Sequence, residues 1–203
     1  MRILVVGATG TIGRAVAAAL SSGNQVMAAS LRKSAIKVDM ADPASIRQMY
    51  RALEKLDAVV CTAGEAKFAP LDQLSDDDFR FCLDNKLMGQ VNLVRFGFEH
   101  VIDGGSFTLT TGILAQSPMP GSAAISLVNA GLEGFVRAAA LEAPRKIRVN
   151  AVSPPWVTET LRALKMDPSQ GLSATVVAQA YVRSVTGTDT GLTLQPTASG
   201  TAV

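Results

Sequence analysis

A chain of 203 residues, 48% hydrophobic and 18% charged, has the size and composition of one folded domain, which excludes bulk disorder. Nineteen Lys and Arg against seventeen Asp and Glu leave a formal charge of +2, too balanced for a general nucleic-acid binder. Cys61 and Cys82 stand at no metal or redox spacing and His100 is the single histidine, so a multi-histidine zinc site is excluded and a reducing, cytoplasmic setting is expected.

In chain order, short apolar runs at 3–6, 25–29, 36–38, 58–61, 107–111, 148–152 and 192–194 read as strands. Most are rich in Val, Ile and Leu without alternation, as in a sheet buried on both faces. Between them, helical periodicity covers 11–22, 43–55, 76–100, 122–143 and 172–185. Ser75 reads as the cap of the third helix. Asp76, Asp77 and Asp78 then belong to its first turn, where the helix dipole favours acids, rather than to a metal site. Residues 30–35 are too few for a crossover helix, so strands two and three can be parallel neighbours only through a tight loop. No apolar run reaches bilayer length and the first residues do not read as a signal peptide, so no membrane partner is expected.

Directly after the first strand comes Gly7-Ala8-Thr9-Gly10-Thr11-Ile12-Gly13, leading into the first helix. In that context the glycines serve a tight turn, close approach of backbone to a pyrophosphate, and packing of helix on strand. The helix start offers free N–H groups and a positive dipole end to the phosphates. The expected architecture is therefore α/β: a three-layer, doubly wound Rossmann fold with a mostly parallel sheet of about seven strands. One domain spans 1–196, with a lid over 154–186 and a frayed tail at 197–203. A site preferring NAD(H) places an acid about 20 residues beyond the loop. Here Ser30-Leu31-Arg32-Lys33 ends the second strand, and Ser30, Arg32 and Lys33 suit a 2′-phosphate, so NADP(H) is favoured over NAD(H).

From these segments the chain resembles the short-chain dehydrogenase/reductase family over most of its length. Gly7 to Gly13 has that family's GxxGxxG spacing, and Val38-Asp39-Met40 is similar to its strand-three element, whose acid meets the adenine amino group. Cys61-Thr62-Ala63-Gly64 stands where the family has Asn-Asn-Ala-Gly. The most specific stretch is Gly131-Leu132-Glu133-Gly134-Phe135 followed by Ile147-Arg148-Val149-Asn150-Ala151-Val152-Ser153-Pro154. The resemblance implies cofactor contacts from Thr62, Ala63, Gly64, Pro154 and the backbone of Val157.

The resemblance also implies a tyrosine that moves the substrate proton and, four residues on, a lysine that lowers its pKa and holds the cofactor ribose. Those positions fall on Ile125 and Asn129, which have neither the proton nor the charge. The family serine after strand five falls on Thr111, which keeps a hydroxyl. The asparagine that kinks the long helix falls on Lys86, whose ammonium is a candidate for the vacated lysine position. Pro155 replaces the glycine of the family's Pro-Gly turn and fixes φ near −65°. Tyr50 and Tyr181 read as packing or surface residues, and Trp156 as either pocket wall or core cover.

Two functions of different class follow. One is an NADP(H)-dependent oxidoreductase acting on a small-molecule carbonyl or alcohol with an altered catalytic set, Thr111 and Lys86. The other is a dinucleotide-binding sensor or scaffold without the reaction. A purely structural oligomer is a third. The resemblance implies assembly through the helices at 76–100 and 122–143 into a homodimer or homotetramer.

Overall fold

The computed structural model describes all 203 residues. The first strand, β1 (Arg2–Val6), sets the layering, because the side chains of Ile3 to Val6 are all buried yet point alternately to opposite faces. Ile3 and Val5 pack with Val16 and Leu20 of α1 (Thr11–Leu20) and with Val177 and Tyr181 of α7 (Ala174–Thr186). Leu4 and Val6 face the other way, toward α2 (Pro43–Arg51), α4 (Gly89–Gly97) and α5 (Ala123–Glu142), where Ile46, Tyr50, Leu93, Leu132 and Val136 meet Phe107. Two apolar layers therefore enclose the sheet, as the unalternated strand sequences require.

The remaining strands are β2 (Gln25–Ser30), β3 (Ile36–Lys37), β4 (Leu56–Cys61), β5 (Val101–Thr110), β6 (Arg148–Val152), β7 (Thr193–Thr197) and β8 (Gly200–Ala202). Their order is β3-β2-β1-β4-β5-β6-β7-β8, and every pairing is parallel except β7 with β8. This is the doubly wound arrangement, with its switch of winding direction between β1 and β4. β2 reaches β3 as a parallel neighbour through residues 31–35 alone, pairing Ala29 with Ile36 and Ser30 with Lys37.

Three expectations are corrected and one observation is added. The sheet has eight strands rather than about seven, because residues 200–202 of the tail expected to fray fold back on β7. β5 begins six residues early, at Val101; its first part carries exposed Ile102, Asp103 and Gly104, which hid it from an apolar reading. The helix expected over 76–100 is α3 (Asp76–Cys82), a π-helical segment Leu83–Met88, then α4. The insertion falls where the resemblance places a kink. Finally, α5 is long and apolar enough to match a membrane span in length and composition, although no uninterrupted apolar run is. In this fold Val128, Leu132 and Val136 of α5 are buried in the core.

The segment expected as a lid holds α6 (Thr158–Ala163) and is pinned at both ends. Thr158 N–H donates to Leu172 O at 2.9 Å, Leu172 N–H to Trp156 O at 2.9 Å, and the Glu159 carboxylate accepts from Ala174 N–H at the start of α7. Both tyrosines are fully buried packing residues. Tyr50 donates to Leu93 O at 2.8 Å, and the Tyr181 hydroxyl lies 2.7 Å from Thr110 Oγ1, which itself donates to Cys61 O. Burial pushes both phenols above their ordinary range, and neither borders the cavities described below. Tyr181→Phe leaves the buried Thr110 hydroxyl with one partner fewer and is expected to lower stability by about 1–2 kcal/mol in urea unfolding, with nucleotide affinity unchanged.

Candidate cofactor and active site

The C-terminal ends of β1, β4, β5 and β6 open on one side of the sheet, at the crevice where doubly wound folds bind ligands. The turn after β1 needs its glycines. Gly7 has φ +83°, and a Cβ on Gly13 would lie 2.0 Å from Gly7 O. Only hydrogen at that position lets α1 begin against the end of β1. Gly10 is the N-cap of α1 in extended conformation, with no side chain capping it and no acid in the first turn. Gly10 N–H bonds Gly7 O and the first helical bond is Arg14 N–H to Gly10 O. The N–H groups of Thr11, Ile12 and Gly13 are therefore free of intrahelical acceptors and suited to phosphate oxygens.

A cavity of about 290 Å³ on one side of this turn is bordered by Gly7, Thr9, Gly10, Ser30, Asp39, Met40, Thr62, Ala63 and Gly64, all expected to contact a cofactor. Leu31, Glu65 and Asn85 also border it and were not expected. Asn85 accepts from Glu65 N–H at 2.8 Å from within the π-helical segment, a placement that only the wide turn reveals. Several of the expected side chains are spent on the frame. Thr62 Oγ1 donates to Val6 O, Ser30 Oγ accepts from Lys33 N–H, and the Asp39 carboxylate accepts from Ala41 N–H. Arg32 and Lys33 stand exposed on the loop outside the cavity, beside Lys37, whose ammonium donates to Arg32 O.

A second cavity, of about 190 Å³, lies across the glycine turn, with Ile12 on its near wall. Here the fold assembles Lys86, Thr111, Ile125, Asn129, Pro154 and Val157 from four separate segments, with Ile113, Leu114, Pro155, Trp156 and Thr160. Trp156 is thus pocket wall. Ile125 and Asn129, one turn apart on α5, face this cavity, as the alignment implied.

Lys86 enters from the π-helical segment. Its stem passes Gly64, where a Cβ would sit 2.9 Å from Lys86 Cγ, and its ammonium donates to the Thr111 carbonyl at 3.2 Å. Burial of the ammonium pulls its pKa from 10.5 down to about 8, against a smaller opposing pull from Cys61 and Cys82. Thr111 is buried, and its hydroxyl turns inward: it donates to Glu133 Oε1 at 3.3 Å and lies 3.4 Å from Val152 O. Thr111 therefore meets Lys86 through its main chain. Glu133, itself buried, also accepts from Gln116 Nε2 at 3.1 Å. Its place one turn beyond Asn129 on α5 was the available signal, and sequence reading passed over it.

The chain fits a nicotinamide dinucleotide on its own geometry. It has an uncapped helix start behind a turn whose Gly7, Gly10 and Gly13 carry no Cβ, and a cavity on each side of that turn. The comparisons agree. A family model described as enoyl-(acyl carrier protein) reductase matches residues 7–192. The crystal structure of the protein lin1944 from Listeria innocua is 38% identical and superposes with a TM-score of 0.93, covering 96% of this chain and 98% of that one. A small-chain dehydrogenase in complex with NADPH is 25% identical with a TM-score of 0.85, covering 96% and 95%. Among curated proteins, a hydroxynaphthalene reductase from Aspergillus fumigatus is 33% identical over 55% of this chain and 41% of its own length. The 3-oxoacyl-[acyl-carrier-protein] reductase of Rickettsia bellii is 30% identical over 76% of this chain and 71% of its own length. The chain spans about half the length of the first two curated relatives it matches, 41% and 55%. With the glycine turn, the strand order and the family match in agreement, the chain belongs to the short-chain dehydrogenase/reductase family of oxidoreductases and carries that family's nicotinamide-nucleotide-binding fold.

Proposed function

We propose that the protein is an NADP(H)-dependent oxidoreductase acting on an apolar carbonyl or alcohol substrate, with Lys86 in the role vacated at Asn129 and Ile125. The observation that carries this reading is the Lys86 ammonium held at the Thr111 carbonyl on the wall of the second cavity. The cofactor, when bound, supplies the hydride. The chain must orient the substrate, exclude water and deliver a proton. Ile113, Leu114, Ile125 and Trp156 give the cavity apolar walls that suit an apolar substrate.

For reduction, Lys86 gives an N–H proton to the substrate oxygen and becomes a neutral amine, which solvent reprotonates. A pKa of about 8 suits that transfer near neutrality, where an unperturbed lysine at 10.5 is a poorer acid. Thr111 positions the ammonium through its carbonyl, and Glu133 fixes Thr111 by taking its hydroxyl proton in a hydrogen bond. Arg32 and Lys33, with no acid nearby in the loop, support NADP(H) over NAD(H), and the NADPH held by a similar structure points the same way. The small residues of α5 (Ala130, Gly131, Gly134, Ala138) support close helix pairing, and we propose a cytoplasmic homodimer or homotetramer. The second reading, a sensor without turnover, is favoured by the loss of both family side chains at Ile125 and Asn129.

Calorimetric titration with NADPH and NADH tests the cofactor site that both readings need, and turnover of a carbonyl substrate separates them. Arg32→Ala is expected to weaken NADPH about tenfold and leave NADH unchanged, since an exposed charge-assisted contact is lost. Failure of both nucleotides to bind the native protein refutes the reading. Lys86 adds a measurement that needs no substrate. Its folded pKa of about 8 lies below the unfolded value of 10.5, so between these the unfolded chain binds more protons and stability rises with pH. Lys86→Met is expected to abolish that rise in thermal melts from pH 7.5 to 10. In a screen of apolar ketones, reduction by the native protein is expected to fall above pH about 8, as the ammonium loses its proton.

A further inference from the structure

Lys33, Lys37, Lys55, Lys67, Lys146 and Lys165 stand exposed, and Lys86 alone among the lysines is half-buried. Its stem runs past Gly64, which borders the first cavity, and its tip lies at Thr111, which borders the second. Lys86 itself borders only the second, so the amine end of the side chain is the part that reaches it. None of the five ion pairs of the chain includes Lys86. The thiols of Cys61 on β4 and Cys82 on α3 are the titratable groups that bear on it, and burial outweighs both.

The ammonium has three N–H donors, and the protein gives them one acceptor, the Thr111 carbonyl at 3.2 Å. Two donors go without a protein partner. A lysine amine in apolar surroundings is a nucleophile toward carbonyl carbon, and the protonated imine it forms carries a single N–H. That one donor matches the one acceptor in place. The cavity holds about 190 Å³ and is walled by Ile113, Leu114, Ile125 and Trp156. A dry cavity of roughly 150 Å³ is enough for a benzene ring, so the carbonyl compound that fits is small and apolar.

We propose that Lys86 captures small apolar aldehydes as a covalent imine, without a nucleotide. The nitrogen lone pair of the amine forms the N–C bond while the carbonyl π pair moves to oxygen. That oxygen takes one proton from the nitrogen and one from solvent, the C–O bond breaks, and water leaves as the nitrogen closes the C=N bond. The nitrogen keeps one proton and one positive charge, as the ammonium had, so the site carries the same charge before and after. This chemistry goes beyond the reduction proposed above: there the ammonium protonates a carbonyl oxygen, here the amine adds to the carbonyl carbon.

The test treats the native protein, free of nucleotide, with benzaldehyde and sodium cyanoborohydride at pH 7.5, and maps the peptides by mass. The reductant fixes the imine as a benzylamine. Lys86 is expected to be benzylated at least about tenfold more than any exposed lysine. Its labelling should saturate with benzaldehyde, whereas the exposed α-amino group of Met1, with an ordinary pKa near 8, should label in proportion to it. Labelling spread evenly over the lysines, no labelling of Lys86, or labelling of Lys86 that rises in proportion like that of Met1 each overturns the proposal, and the native protein alone decides it. No nucleotide enters the assay, so its failure leaves the cofactor titration standing, and failure of nucleotide binding leaves the adduct standing.

Discussion

The contact between Gly13 and Gly7 is the constraint on which the rest of this molecule depends. With 2.0 Å between Gly7 O and the place of an added Cβ, no side chain at residue 13 is compatible with α1 starting where it does. Moving α1 outward would open the layer in which Ile3, Val5 and Val16 pack against α7. It would also withdraw the uncapped N–H groups from the crevice between β1 and β4. The same hydrogen atom therefore serves core packing and ligand approach, which is why the turn needs no polar side chain of its own.

Thr111 plays the corresponding part on the other side of the crevice. Its hydroxyl is turned into the protein toward Glu133, while its carbonyl is turned out toward the Lys86 ammonium. A residue at a strand end can do both because side chain and carbonyl leave the backbone in different directions. Lys86 then reaches the cavity from a helix that precedes β5, whereas the family lysine belongs to the helix that follows it. The wide π turn over residues 83–88 makes this route available, since it offsets α4 from the register of α3.

Much of this architecture was legible in the chain. Apolar runs without alternation announced buried strands, and Gly7, Gly10 and Gly13 between a strand and a helix located the crevice. The resemblance set Ile125 and Asn129 at the family's tyrosine and lysine positions, on one helix face. What escaped had physical reasons. β5 starts in exposed polar and glycine residues that carry no apolar signal, and β8 consists of Gly200, Thr201 and Ala202, whose pairing comes from a turn. A π insertion leaves no mark on composition and breaks the helical period through which faces are read. Glu133 entered only as one letter of the family-like stretch 131–135, and it is the packing of α5 on the sheet that buries it against Thr111.

The sheet begins and ends in very short strands: β3 has two residues, β8 three, and exposed Lys37 lies on β3. An eight-stranded sheet with long outer strands would present rows of unpaired N–H and C=O groups to any other chain. Here each border gives a visiting strand at most two or three residues to pair with, and at one of them a charged side chain that would have to be desolvated. The five-residue crossover into β3 and the final hairpin therefore act together as protection against strand-by-strand aggregation. They leave no long run of unpaired backbone along either border of the sheet.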